Sequence, residues 1–228
     1  MARATRKTSD EARSAVAGLA KGDPYWPAQL SVLAALLLHV VLPERLTLGP
    51  RWLVPALEAI LLVGLFATNP AHPRDETPRR RAADIALIAL ISAANALALA
   101  LLVDHLLAGG TANGRQVILS AIDIWLTNVV VFGLWYWQMD RGGPGNRARD
   151  HASAPDFLFA QMTVPTPGRG WRAGFVDYLY LSFTNSTAFS PTDTMPLTAR
   201  AKLLMLVQAL ASLITIALVA GRAVNILT

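Results

Sequence analysis

Glu58, Asp123 and Asn95 each sit inside an apolar run of membrane-crossing length. An ionisable side chain at membrane depth is costly and marks a functional site by default. Glu58 and Asp123 can relay protons or pair with Arg115 or Arg222; a pair that simply holds helices together is the plainer reading. Arg222 and Asn225 lie near the end of the last run, where a long side chain can snorkel to headgroups. Five hydroxyls (Ser186, Thr187, Ser190, Thr192 and Thr194) crowd around Asp193. Gln208, Ser212 and Thr215 recur at helical spacing, so they share one face, either lining a wet path or bonding neighbouring helices. Other chemistries lack their residues. His39, His72, His105 and His151 are scattered without a metal-ligand spacing, and there is no Cys. Gly142, Gly143 and Gly145 follow no strand and precede no P-loop Lys, so they read as a flexible turn. Asn185-Ser186-Thr187 fits a glycosylation sequon but lies in an apolar stretch. No Ser/His/Asp order or paired-carboxylate spacing points to catalysis. The expectation is a protein that is not an enzyme and holds no metal or cofactor.

The elements that must position these residues are long apolar runs. The chain has 228 residues, 54% of them hydrophobic and 15% charged. After a leader at 1–24 the runs are about Trp26–Leu42, Trp52–Thr68, Ala82–Leu107, Arg115–Met139, a shorter one at Phe175–Phe189, and Thr198–Leu227. Backbone polar groups find no water in lipid, so such runs are helices, and they are too long for barrel strands. Tyr25, Trp26, Trp52, Trp135, Tyr136 and Trp137 read as interfacial anchors. Ser92, Ala96 and Ala100 stand four apart, which permits close helix contact.

Net charge is +5, carried by 17 Arg and 3 Lys against 15 acidic residues. The basic residues alternate with the membrane runs instead of forming one patch, which excludes a nucleic-acid binder. The leader and the connections at 70–82 and 140–172 hold fourteen of them, the two alternate connections three. The positive-inside rule therefore predicts a multi-pass protein of the inner membrane with a cytoplasmic N-terminus and a cytoplasmic 140–172 loop.

From Asp177 to Arg200 the chain reads DYLYLSFTNSTAFSPTDTMPLTAR. Ser182, Phe183, Thr184, Thr187, Asp193, Pro196, Leu197 and Thr198 stand at the spacing of a phrase like SFTTLTTVGYGD followed by PLT. The segment resembles the pore domain of the potassium-channel superfamily, over roughly residues 171–227. The resemblance implies an outer helix at 115–139, a loop at 140–170, a pore helix at 171–188, a filter-like loop at 189–197 and an inner helix at 198–227. It leaves 25–114 as a three-helix membrane region with no counterpart in the minimal pore. It implies a homotetramer, with monovalent cations as permeant ions. The fold expected is all-α integral membrane, with five transmembrane helices plus a re-entrant pore helix and loop. If 171–189 instead crosses completely, the count is six spans.

The resemblance departs from the family at the filter. Thr187 is kept, but against TVGYG this chain reads Ala188, Phe189, Ser190, Pro191, Thr192. A potassium filter strips the ion of water with backbone carbonyls, and its glycines permit the alternating angles. Pro191 fixes its own φ and restricts Ser190. The expectation is a passive cation channel with an unconventional filter of hydroxyls and Asp193. Two rivals are a non-conducting channel-like scaffold and a small transporter using Glu58 and Asp123. The family's loop also enters from outside, whereas the Arg distribution here puts the entry inside.

Overall fold

The computed structural model describes residues 26–41, 56, 59–60, 63–64, 77–108, 114–149, 153–164, 171–187 and 193–227. Helix α1 is Trp26–Val41, α2 Pro78–Leu107, α3 Gly114–Met139, α4 Pro144–Arg149, α5 Phe175–Thr187 and α6 Ala199–Leu227. The two strands, β1 (Phe157–Leu158) and β2 (Met195–Pro196), pair antiparallel with Phe157 opposite Pro196. The leader, most of the run around Glu58 and the filter-like residues 188–192 lie outside the described residues.

The fold is mostly helical, and among the described residues three helices are long and apolar enough to cross a membrane: Pro78–Leu107, Gly114–Gly142 (α3 with the turn that ends it) and Ala199–Gly221. That is compatible with a multi-pass membrane protein. Each starts or stops for a local reason. Helix α2 opens on Thr77, whose hydroxyl accepts from the Arg80 N–H, with Pro78 in the first turn where a missing donor costs nothing. Helix α3 stops where Arg141, Gly142 and Gly143 take φ of 51°, 77° and 96° in succession. A Cβ on Gly142 would sit 2.5 Å from Asn146 Nδ2, so the glycines form an ordered corner and not a flexible turn.

Helix α3 is the centre, touching α1, α2, α5 and α6. Of its apolar window 67% is buried, against 28% for α2 and 17% for α6. Helix α2 meets it through Ile88, Ile91, Leu99 and Leu102, all buried. Two polar contacts fix the register: Trp135 Nε1 donates to Ser92 Oγ at 2.9 Å, and Asn95 Nδ2 to Ile124 O at 3.2 Å. Ala96 and Ala100 are exposed, so the expected small-residue stripe is not the contact; only Ser92 touches α3. Burial also corrects the aromatic belt. Tyr136 and Trp137 are fully buried beneath α5 and the following loop, where their rings meet Phe157 and Phe175 edge-on.

Arg81, in the first turns of α2, donates from Nη2 to Gln138 O, near the end of α3. The two helices are therefore antiparallel, and Thr77 and Asp140 lie at the same end of the bundle, as the charge alternation requires.

Candidate functional site: a half-length helix held at both ends

Helix α5 is the element the sequence singles out, and it has only 13 residues. At 1.5 Å per residue that is ~20 Å, well short of a ~30 Å hydrocarbon core. The expected pore helix at 171–188 is thus shorter at its start, with residues 171–174 non-helical. Helix α5 begins beside the end of α3, where Tyr178 OH donates to Asp140 Oδ2 at 2.6 Å. It runs back along α3, so that Ser182 Oγ donates to Val129 O at 2.6 Å and Trp125 Nε1 to Ser186 O at 3.4 Å. Gly133 permits the close crossing: a Cβ there would stand 3.3 Å from Leu179 Cα. Residues 195–198 lie at the level of Asp140, because β2 pairs with β1 and Leu197 N donates to Asp156 O at 2.8 Å. Phe175 and Thr198 therefore lie at the same end of α3, while Ser186 lies at the level of Trp125.

The outer end of α5 is held by a charged latch. Asp140 and Asp156 are both fully buried. Asp140 Oδ1 accepts from the Asp156 N–H at 2.7 Å. Asp156 then grips the start of α6: its Oδ1 accepts from Thr198 Oγ1 and Arg200 Nε, its Oδ2 from Arg200 Nη2, all at 2.7 Å. The Arg141 N–H adds a fourth donor at 3.2 Å. A buried carboxylate needs this saturation, and the two-pronged guanidinium contact supplies both charge and geometry. Arg147 ties the corner from the other side, donating from Nη1 to Trp137 O at 2.6 Å and Asp140 O at 2.9 Å. Its guanidinium lies 5.1 Å from the Tyr178 ring centroid.

The inner end is held by a neutral wedge centred on Gln208, which is 0% exposed. The Gln208 amide N–H groups reach Ser182 O (2.9 Å), Ser182 Oγ (2.6 Å) and Ser186 Oγ (2.7 Å), and Oε1 accepts from Asn185 Nδ2 (2.9 Å) and from Tyr136 OH. Asn185 Nδ2 also donates to Met205 O at 3.0 Å. One turn further along α6, Asn128 Nδ2 donates to Ser212 Oγ at 2.9 Å. Ser182, Asn185 and Ser186 make one helical face of α5, locked to α3 and α6 by amide and hydroxyl alone.

The sequence-derived candidates fall as follows. Thr187 is the last residue of α5 and its hydroxyl donates to Thr184 O at 2.9 Å. Ala188, Phe189, Ser190, Pro191 and Thr192 lie outside the described residues. Asp193 is exposed and sits at the outer end, two residues before β2. Gln208, Ser212 and Thr215 are buried at 0%, 1% and 2%. Gln208 and Ser212 take the interhelical bonding role within this chain. Asp123 is buried on α3, while Glu58 and the side chains of Arg222 and Asn225 lie outside the described residues. Whether Glu58 and Asp123 share a cavity is therefore outside the described residues as well.

Several residues of the arrangement carry no signal in the sequence alone. Asp140, Asp156 and Arg200 are spread over 60 positions and look like ordinary loop and helix-start charges. Tyr178 reads as one more apolar-run aromatic. Asn185 stands out only as the sequon asparagine. A family-model scan, a curated-protein search and a solved-structure search each return no match for this chain.

Proposed function

We propose that this protein is a passive ion channel, cation-conducting, in which identical chains surround one axis and α5 with the loop after it forms a re-entrant pore segment. One observation carries the reading: a helix of ~20 Å, too short to cross the hydrocarbon core, with Phe175 and Thr198 at the same end of α3. Three features support it. The C-terminus of α5 points into the bundle, and the negative end of a helix dipole, worth roughly half a charge, favours a cation there. The wedge fixes that terminus and the latch the opposite end, as a pore segment requires. Apolar side chains of α5 and α6 are left exposed (Val176 and Tyr180; Leu206, Leu210 and Leu213), so surface remains for lipid or for neighbouring copies.

In this reading the protein has five spans, with the loop entering from the cytoplasmic side and four copies closing the path. Positive-inside charge supports that orientation, since Arg79, Arg80, Arg81, Arg141, Arg147 and Arg200 gather at the entry end. Asp193 stands at the mouth on that side. Phe189 is the constriction, gating by dewetting, and hydroxyls replace the glycine carbonyls of a potassium filter. Glu58 and Asp123 have no part in conduction in this reading.

Purified protein reconstituted into planar bilayers tests this. Cation-selective unitary currents are expected, and Asp193→Asn should lower conductance about twofold or more by removing a ring of mouth charge. Silence under every gradient from a correctly assembled tetramer rejects conduction and leaves the scaffold reading. A monomer in detergent and in bilayers rejects the shared axis.

A further inference from the structure

Beside the exposed apolar surface, at one end of the bundle, lie polar groups that lack partners among the described residues. Between α2, α3 and α6, at the end where Arg81 meets Gln138, lies a groove of about 440 Å³. That is within the ~300–1,000 Å³ of ordinary small-molecule sites. Its inner wall is Ile85, Trp135, Leu203, Leu204 and Val207, and its mouth is set by Arg81, Gln138 and Arg200. From Arg200 to Val207 the wall descends ~10 Å along α6.

The mouth lacks an acceptor. Gln138 is 1% exposed, yet neither its amide nitrogen nor its side-chain oxygen has a hydrogen-bond partner among the described residues. Buried amides are almost always satisfied. Arg81 makes no ion pair among the described residues; Nη2 is bonded to Gln138 O, and its buried Nε has no acceptor. Arg200 adds a second guanidinium that is 61% exposed although its Asp156 partner is fully buried. The groove thus offers unmet donors and positive charge at the basic end of the bundle, above an apolar channel parallel to a long helix.

We propose that this groove binds one anionic phospholipid from the leaflet at the Arg-rich end. The phosphodiester oxygens accept from Arg81, Gln138 and Arg200, a headgroup hydroxyl donates to Gln138 Oε1, and an acyl chain lies along Leu203 and Val207. Basic pockets between helices at a cytoplasmic surface are suited to such headgroups. The site requires the membrane assignment but not conduction.

The test uses the full-length protein in mild detergent, with phosphatidylglycerol, phosphatidylcholine or soluble glycerol phosphate added. Phosphatidylglycerol should be retained in native mass spectra roughly tenfold over phosphatidylcholine, as two arginines at ~1 kcal/mol each allow. It should raise the unfolding midpoint by about 5 °C. Leu203→Trp fills the groove from a side chain that is 63% exposed, so it should erase the difference between the two lipids without unfolding the protein. Arg81→Gln should reduce it. Equal responses to both lipids, or a full response in the Leu203→Trp protein, overturn the proposal. So does an equal effect of glycerol phosphate, which assigns the donors to a free anion. A smaller oligomer on Leu203→Trp gives the groove to a second copy and overturns it too. Loss of current with the lipid response intact counts against the channel reading alone.

Discussion

The two ends of α5 are fixed by different chemistry. At the outer end, two buried aspartates are saturated by a guanidinium, two hydroxyls and two backbone N–H groups. At the inner end a single buried glutamine is met by serine, asparagine and tyrosine, with no formal charge in the cluster. The difference follows depth. Near the end of the bundle water still screens Arg200, so an ion pair can form at modest desolvation cost. At the level of Val129, within a bilayer, a charge would be expensive, and a neutral amide with every group bonded is the cheaper lock. The outer lock also joins three segments that are far apart in sequence, whereas the inner one joins helices already packed side by side.

That contrast can be broken by single substitutions, followed by thermal unfolding in detergent. The largest effect belongs to Gln208→Leu, which strands Ser182, Ser186, Asn185 and Tyr136 in a dry interior; a loss of about 3 kcal/mol is expected, on the scale of orphaned buried partners. Arg200→Gln should cost about 2 kcal/mol, because Asp156 stays buried while losing its counter-charge but keeps Thr198 and the Arg141 N–H. Salt sharpens the comparison: the half-exposed Arg200 is screened, so raising ionic strength should shrink the Arg200→Gln penalty and leave that of Gln208→Leu unchanged. Equal salt dependence of the two would show that the locks do not differ in kind. Tyr178→Phe removes one hydrogen bond to Asp140 while that carboxylate keeps the Asp156 N–H, and about 1 kcal/mol is expected. Ala96→Leu should fall within about 0.5 kcal/mol of the parent, since Ala96 is exposed on α2; a large loss would mean that the small-residue stripe is an interface after all.

Much of the architecture was legible because the membrane constraint is strong and local. An apolar run of sufficient length must satisfy its backbone internally, and the boundaries read from hydropathy fall close to those of α1, α2, α3 and α6. Side-chain placement was less legible. Tyr136 and Trp137 look like belt aromatics because a sequence shows only that they end an apolar run. Helix α5 and the loop beyond α3 cover them, and that cover comes from Phe157 and Phe175.

The sequence by itself determined that this chain forms long apolar helices, that its basic residues gather on alternate connections, and that a polar face recurs along the last helix. These follow from period, length and charge, each readable within one segment. Only the tertiary structure decided that the start of α5 and the start of α6 share one end of α3, that Gln208 is a lock within the chain, and that Asp156 reaches Arg200. Those depend on which helix lies against which, and on partners dozens of residues apart, where no local spacing rule operates.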